Sequence, residues 1–127
     1  MIQAGITPED IADKVVRLSR TFRAGNEVSM YDLLADTGYL EHHDRIGEDV
    51  IRKRLALAPE LISEWLIYSE DKRTRRGWYF RSSPSHGYEV GYFGGTDDQN
   101  ISMVCTDRFD ACAKFVKKEL EEMRGQV

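Results

Sequence analysis

Cysteine, histidine and proline are all scarce in this chain, and each scarcity removes a class of explanation. Two cysteines, Cys105 and Cys112, and three histidines, His42, His43 and His86, are the whole supply of nitrogen and sulfur metal ligands. The cysteines lack the paired spacing of a zinc site, and nothing suggests an export route. Two reduced, packed thiols are therefore expected rather than a disulfide framework. Three prolines and ten glycines are scattered, so no linker divides the chain, and no internal repeat or low-complexity tract occurs. No apolar run approaches the length that crosses a bilayer. The opening residues, "MIQAGITPED", have neither the basic nor the apolar region of a secretory signal. The expectation is a cytoplasmic protein with no membrane partner. Phosphate-binding glycine loops and serine-hydrolase patterns are missing too.

What is present suits one folded domain. The 127 residues, 41% hydrophobic and 31% charged, can enclose a core without disulfide or metal staples. A net charge of −4 weighs against generic nucleic-acid binding, which favours a basic face. The charge is uneven. Basic residues gather between Lys72 and Arg81, while the N-terminal third and the neighbourhood of Asp97 and Asp98 are more acidic.

Periodicity divides the chain into helices followed by strands. Thr7 is a good N-cap, Pro8 suits the first helical position, and Glu9 and Asp10 favour the positive end of the dipole. Ile11, Val15, Leu18 and Phe22 mark one face of a first helix that Gly25 would close. Ser29 starts a second, short helix that Gly38 ends. A third is expected from about Ile46 to Leu57, with Ile46, Val50 and Leu57 inward. A fourth begins at Pro59 and carries Leu61, Ile62, Trp65, Leu66 and Ser69 at helical spacing. From Gly77 the period becomes two. Trp78, Phe80 and Ser82 share one face, as do Tyr88, Val90 and Tyr92, and then Ile101, Met103 and Cys105. Three strands with short polar turns predict an antiparallel meander. Asp107 can cap a last helix with Phe109, Cys112, Val116, Leu120 and Met123 on one face and Phe115 beside them. The fold class is therefore α+β: N-terminal helices, a three-stranded antiparallel meander, and a C-terminal helix packed on the sheet. The last helix and the Trp65 helix are expected to cover the sheet.

Few residues invite chemistry. His42, His43, Asp44 and His86 are the one set from which a metal-dependent hydrolase could be built. Adjacent histidines point in different directions, so this needs two loops to converge. Both cysteines read as core thiols, without the base and field that activate a nucleophile. Acidic pairs are numerous, but neighbours in sequence do not make a catalytic dyad. Trp78, Tyr79, Tyr88, Tyr92 and Phe93 with the basic turn 72–81 could form a platform for single-stranded nucleic acid. Alternation instead sends most of these rings to the core. On that reading the mid-chain rings are consumed by the interior, leaving ionic side chains to meet other molecules.

The most unusual stretch is "YSEDKRTRRGWYFRSS", Tyr68 to Ser83. Its charged turn lies between Trp65 and Tyr68 on one side and Trp78, Tyr79 and Phe80 on the other. Aromatic anchors would fix the turn, and aromatic and arginine side chains dominate protein-interface hot spots. The candidate partner-binding residues are Glu70, Asp71, Arg73, Arg75 and Arg76 on this turn and Asp97 and Asp98 on the turn before the third strand.

The run Trp65-x-x-Tyr68-Ser69-Glu70-Asp71-Lys72-Arg73, followed by Gly77-Trp78-Tyr79, resembles small bacterial proteins, some of toxin-immunity type. The likeness covers about fifteen of the 127 residues. It implies a non-enzymatic protein that binds one cognate toxin, often with an acidic surface against a basic one. It implies a protein partner and no cofactor, and it transfers no contact residue. The expectation is a small non-enzymatic protein-binding module. A metal-dependent hydrolase and a nucleic-acid binder are its alternatives.

Overall fold

The computed structural model describes residues 7–23, 29–71, 77–83, 87–94 and 101–125. Its order is α1 (Pro8–Val16), α2 (Leu18–Arg23), α3 (Met30–Thr37), α4 (Tyr39–His42), a 3-10 turn (His43–Arg45), α5 (Glu48–Leu57) and α6 (Glu60–Asp71). Strands β1 (Gly77–Ser83), β2 (Gly87–Phe93) and β3 (Ile101–Cys105) follow, then α7 (Arg108–Gly125). The sheet is an antiparallel meander in the order β1-β2-β3. The α+β expectation is met, with α7 lying across the sheet and α6 against β1.

Local chemistry sets the helix starts. Thr7 and Asp10 form a reciprocal capping box: the Asp10 N–H donates to Thr7 Oγ1 at 3.1 Å and the Thr7 N–H to Asp10 Oδ2 at 3.3 Å. Ser29 accepts from the Asp32 N–H at 3.1 Å. Asp107 accepts from the Phe109 N–H at 2.7 Å and so starts α7. Gly38, at φ 90°, ends α3 in the left-handed region.

The first helix departs from expectation. It is two helices, because the Arg17 N–H reaches back to Lys14 C=O at 3.2 Å and tightens the turn there. The change of phase buries Leu18 and Ser19 beside Val15 and Val16 and leaves Phe22 42% exposed. The expected stop at Gly25 lies outside the described residues. The third predicted helix starts at Glu48. Its phase is set by the buried Ile51 and Leu55, so Leu57 is 71% exposed rather than inward.

The strand faces follow alternation. Trp78 pairs with Tyr92, Phe80 with Val90, and Val90 with Met103 on the face beneath α7. Phe80 stacks on Phe115 of α7 at 5.7 Å, and Phe115 in turn meets Trp65 edge-on at 6.1 Å. Trp65, Phe80, Phe115, Leu61 and Val90 join Ile11, Val15, Leu34 and Tyr39 in one buried cluster. Burying each large side chain contributes roughly 1.5–3 kcal/mol. Cys112 is fully buried and Cys105 half-buried, both as free thiols, and burial pushes the Cys112 thiol pKa up.

Candidate binding surface

The frame around the charged turn is rigid on both sides. The Trp65 indole N–H donates to Val16 C=O at 2.9 Å, and the Tyr68 hydroxyl donates to Glu119 at 2.6 Å in the interior. Ser69 Oγ accepts the Phe80 N–H at 2.7 Å, which ties the end of α6 to the middle of β1. Glu70 is exposed in the last turn of α6, and Asp71 ends that helix. Arg73, Arg75, Arg76, Asp97 and Asp98 lie outside the described residues, as does His86. Of the predicted contact set, Glu70 and Asp71 at the start of the turn are the members that fall among the described residues.

Trp65, Tyr68 and Phe80 are consumed by the core as expected, but rings as well as ionic side chains remain at the surface. Tyr79 lies on the far side of the sheet, and Phe93, 37% exposed, packs against it at 6.1 Å. The reason is strand parity: Tyr79 and Phe93 alternate with core residues, and Tyr79, Arg81 and Phe93 share a cavity with Leu66, Ser69 and Glu70 of α6. The Tyr79 hydroxyl donates to the Glu89 carboxylate, and Arg81 Nη2 donates to Glu89 at 2.9 Å. The Arg81 guanidinium also lies 5.2 Å from the Tyr79 ring centroid. Tyr79 occupies the space above Gly91: a Cβ there would fall 2.5 Å from the hydroxyl and 2.5 Å from Ile101 C=O. Glycine at position 91 is what lets the phenol lie flat on the strand. Partial burial and the bond to Glu89 push the Tyr79 pKa up to about 12. Arg81, the one described arginine of the basic turn, is thus engaged with Glu89 rather than free for phosphate.

His42 ends α4 and His43 begins the 3-10 turn. The His43 carbonyl accepts from Lys117 Nζ at 2.9 Å, and its ring packs on Tyr39 at 6.4 Å. Lys117 also donates to the Tyr39 hydroxyl at 2.7 Å and lies 3.6 Å from Glu121. Burial lowers the Lys117 pKa, with Glu121 opposing. Burial alone would raise the Glu121 pKa, but Arg124, the Tyr39 hydroxyl and Lys117 hold it down at about 2. This network fastens α4 and the 3-10 turn to α7. Among the described residues no three His, Cys, Asp or Glu side chains converge as metal ligands.

The acidity of the N-terminal third sharpens into a second surface. Between Asp32 and Asp49 there are six acids, Asp32, Asp36, Glu41, Asp44, Glu48 and Asp49, against the single Arg45. That is a net of −5 within a chain whose total is −4, so the remainder is slightly basic. Glu48 is paired with Lys114 at 3.2 Å. The other five are exposed, and among the described residues none of them forms an ion pair. The signal was available by counting charge along the chain. Acids at helix starts also read as dipole and capping residues, a role that Asp32 and Asp49 fill, so their number alone does not announce a surface.

The fold and surfaces define a small α+β domain with a one-sided sheet and an acidic helical flank. Set against family models, curated proteins and solved structures, the chain finds no match. No described helix is long and apolar enough to cross a membrane.

Proposed function

We propose that this protein is a non-enzymatic binding module whose partner is a basic protein, and that its sharpest form is an immunity protein occluding a cognate bacterial toxin in the cytoplasm. The carrying observation is the concentration of the chain's negative charge in the exposed acids of α3, α4, the 3-10 turn and the start of α5. Carboxylates that form no ion pair among the described residues can meet a cationic surface without breaking one. They also raise the association rate and reject acidic competitors more than they add raw affinity. The Lys117–Tyr39–Glu121 network supports the reading, because it holds the segment bearing Glu41 and Asp44 in a fixed position. Glu70, exposed at the end of α6, extends the anionic surface toward the charged turn.

Co-purification from the native host with the wild-type chain and with Asp36→Lys/Glu41→Lys/Asp44→Lys tests this. The expected result is one basic protein retained by the wild type and lost by the variant. For the toxin version, that protein arrests growth when expressed alone, and co-expression of this chain restores growth. Equal retention by both chains would refute the acidic surface. A captured protein without toxicity would remove the immunity version alone.

A further inference from the structure

The two edges of the sheet are finished differently. At β1, α6 runs alongside, Ser69 takes up the Phe80 N–H, and the charged Arg81 stands in the strand. These are devices by which edge strands avoid pairing with other chains. At β3, "ISMVC", there is no charge, no proline and no glycine, and Val104 is 57% exposed. The Phe80 N–H points at Ser69, away from β2. Val90, opposite Phe80, therefore points its N–H and C=O toward β3, where Met103 answers it. Alternation leaves the N–H and C=O of Ser102 and Val104 facing outward. Among the described residues no hydrogen bond from another element reaches either residue. An open edge alone accepts any strand, so the charge beside it must do the selecting.

Val104 and Cys105 form one wall of a cavity of about 550 Å³, and the N-terminal halves of α5 and α7 form the other. Four acids, Glu48, Asp49, Asp107 and Asp110, and two bases, Arg52 and Lys114, line it, for a net charge of −2. Both bases are already engaged, Arg52 with Asp107 and Asp110, and Lys114 with Glu48 at 3.2 Å. The neighbouring Arg108 lies over the Phe109 ring, 4.9 Å from its centroid. Asp49 is exposed and forms no ion pair among the described residues. Glu48 and Asp49 also belong to the acidic flank, so the cavity carries that surface on to the sheet edge.

We propose that β3 is the edge to which the basic partner adds an extended segment with lysine or arginine at alternate positions. The proposal rests on the basic-partner reading above and says where that partner's main chain docks. Bonds to the outward N–H and C=O groups of Ser102 and Val104 supply affinity. Alternate side chains of the added strand fall on the α7 side, over the cavity, and supply selectivity. A cation there meets the net negative charge and the unpaired Asp49. An acidic strand meets repulsion, and a second copy of β3 brings no cation to answer it.

Amide hydrogen exchange at Ser102 and Val104 tests the proposal, with the synthetic peptide Thr-Lys-Val-Lys-Val-Lys-Thr as probe and Thr-Glu-Val-Glu-Val-Glu-Thr as control. Exchange at these two amides is the readout because a basic peptide can also adhere to the acidic flank without touching the edge. The lysine peptide is expected to slow both amides at low salt and to lose that effect as salt rises, and the glutamate peptide to slow neither. Val104→Pro removes an outward N–H that β2 does not use and should weaken the lysine peptide's effect at Ser102 about tenfold or more. Asp49→Lys reverses the unpaired charge and should weaken it about threefold or more. Asp49→Lys serves alone if the proline variant does not fold. Protection of neither amide, equal protection by the two peptides, or protection that rises with the chain's own concentration in the absence of peptide would each overturn the proposal. A captured basic protein that slows neither amide would overturn it too and leave the acidic flank standing, so the two failures are distinct.

Discussion

Two tyrosine–glutamate pairs hold opposite sides of this molecule. Tyr68 donates to Glu119 in the interior, where the two residues are 8% and 4% exposed. Tyr79 donates to Glu89 on the open face of the sheet, where Arg81 shares the carboxylate. The same chemical pair has different consequences in the two places. Inside, water cannot replace a lost bond, so Tyr68 and Glu119 constrain how α6 docks on α7. Outside, water can substitute, and the pair's effect is to fix the shape of a surface. The interior pair therefore governs whether the protein folds, and the surface pair what it presents.

The largest separation between the two sides is expected from truncating rings. Phe80→Ala empties a site between Val90 and Phe115 and should cost about 3–5 kcal/mol in denaturant unfolding. Phe93→Ala, on the exposed face, should cost less than about 1 kcal/mol. Equal losses would mean that the outer face is a second core. Removing only the hydroxyls is the next step down. Tyr68→Phe should cost about 1.5–3 kcal/mol because it takes a bond from a buried carboxylate. Tyr79→Phe should cost about 0.5–1 kcal/mol. A reversed order would break the comparison.

A pH measurement sharpens it further. The folded pKa of Tyr79 is raised to about 12 from an ordinary 10.0. A group raised in the folded state adds stability that is complete below its unfolded pKa and is lost as pH climbs through the folded value. Tyr79 should therefore support folding below pH 10 and lose that support between about pH 10 and 12. Burial raises Tyr39 and Tyr68 further still, so ultraviolet titration should show Tyr79 as the first of the late tyrosines, a transition missing in Tyr79→Phe and moved back toward 10 in Glu89→Gln. Glu121 gives the acid counterpart. Held at about 2 in the fold against an ordinary 4.5, it contributes stability above pH 4.5 that disappears as pH falls toward 2. Glu121→Gln should flatten that part of the acid-unfolding curve.

The strands were legible in the sequence because period-two alternation from Trp78 to Cys105 is unbroken and the turns between them are polar. Face assignments at Phe80, Val90 and Met103 followed directly. The start of α1 was legible from Thr7 and Asp10, whose capping is local. The break at Arg17 was not, since it arises from a tightened turn with no proline or glycine to announce it. Leu57 was misplaced for a related reason. The phase of α5 is fixed by packing Ile51 and Leu55 into the core, and an apolar residue at a helix end carries no information about that. The acidic flank was readable as a charge count, yet its exposure and lack of internal partners needed coordinates. Arg73, Arg75, Arg76, Asp97 and Asp98 stand as sequence-based candidates. Glu70 is the member of that set whose exposure is described.

The exposed acids on α3 to α5 are the proposed contact surface. The most direct test is the association rate of the captured partner with the wild type and with Asp36→Lys/Glu41→Lys/Asp44→Lys, each measured over a range of salt. The wild-type rate is expected to fall steeply with salt, and the variant rate to be at least about tenfold slower at low salt. Equal rates with no salt dependence would contradict it.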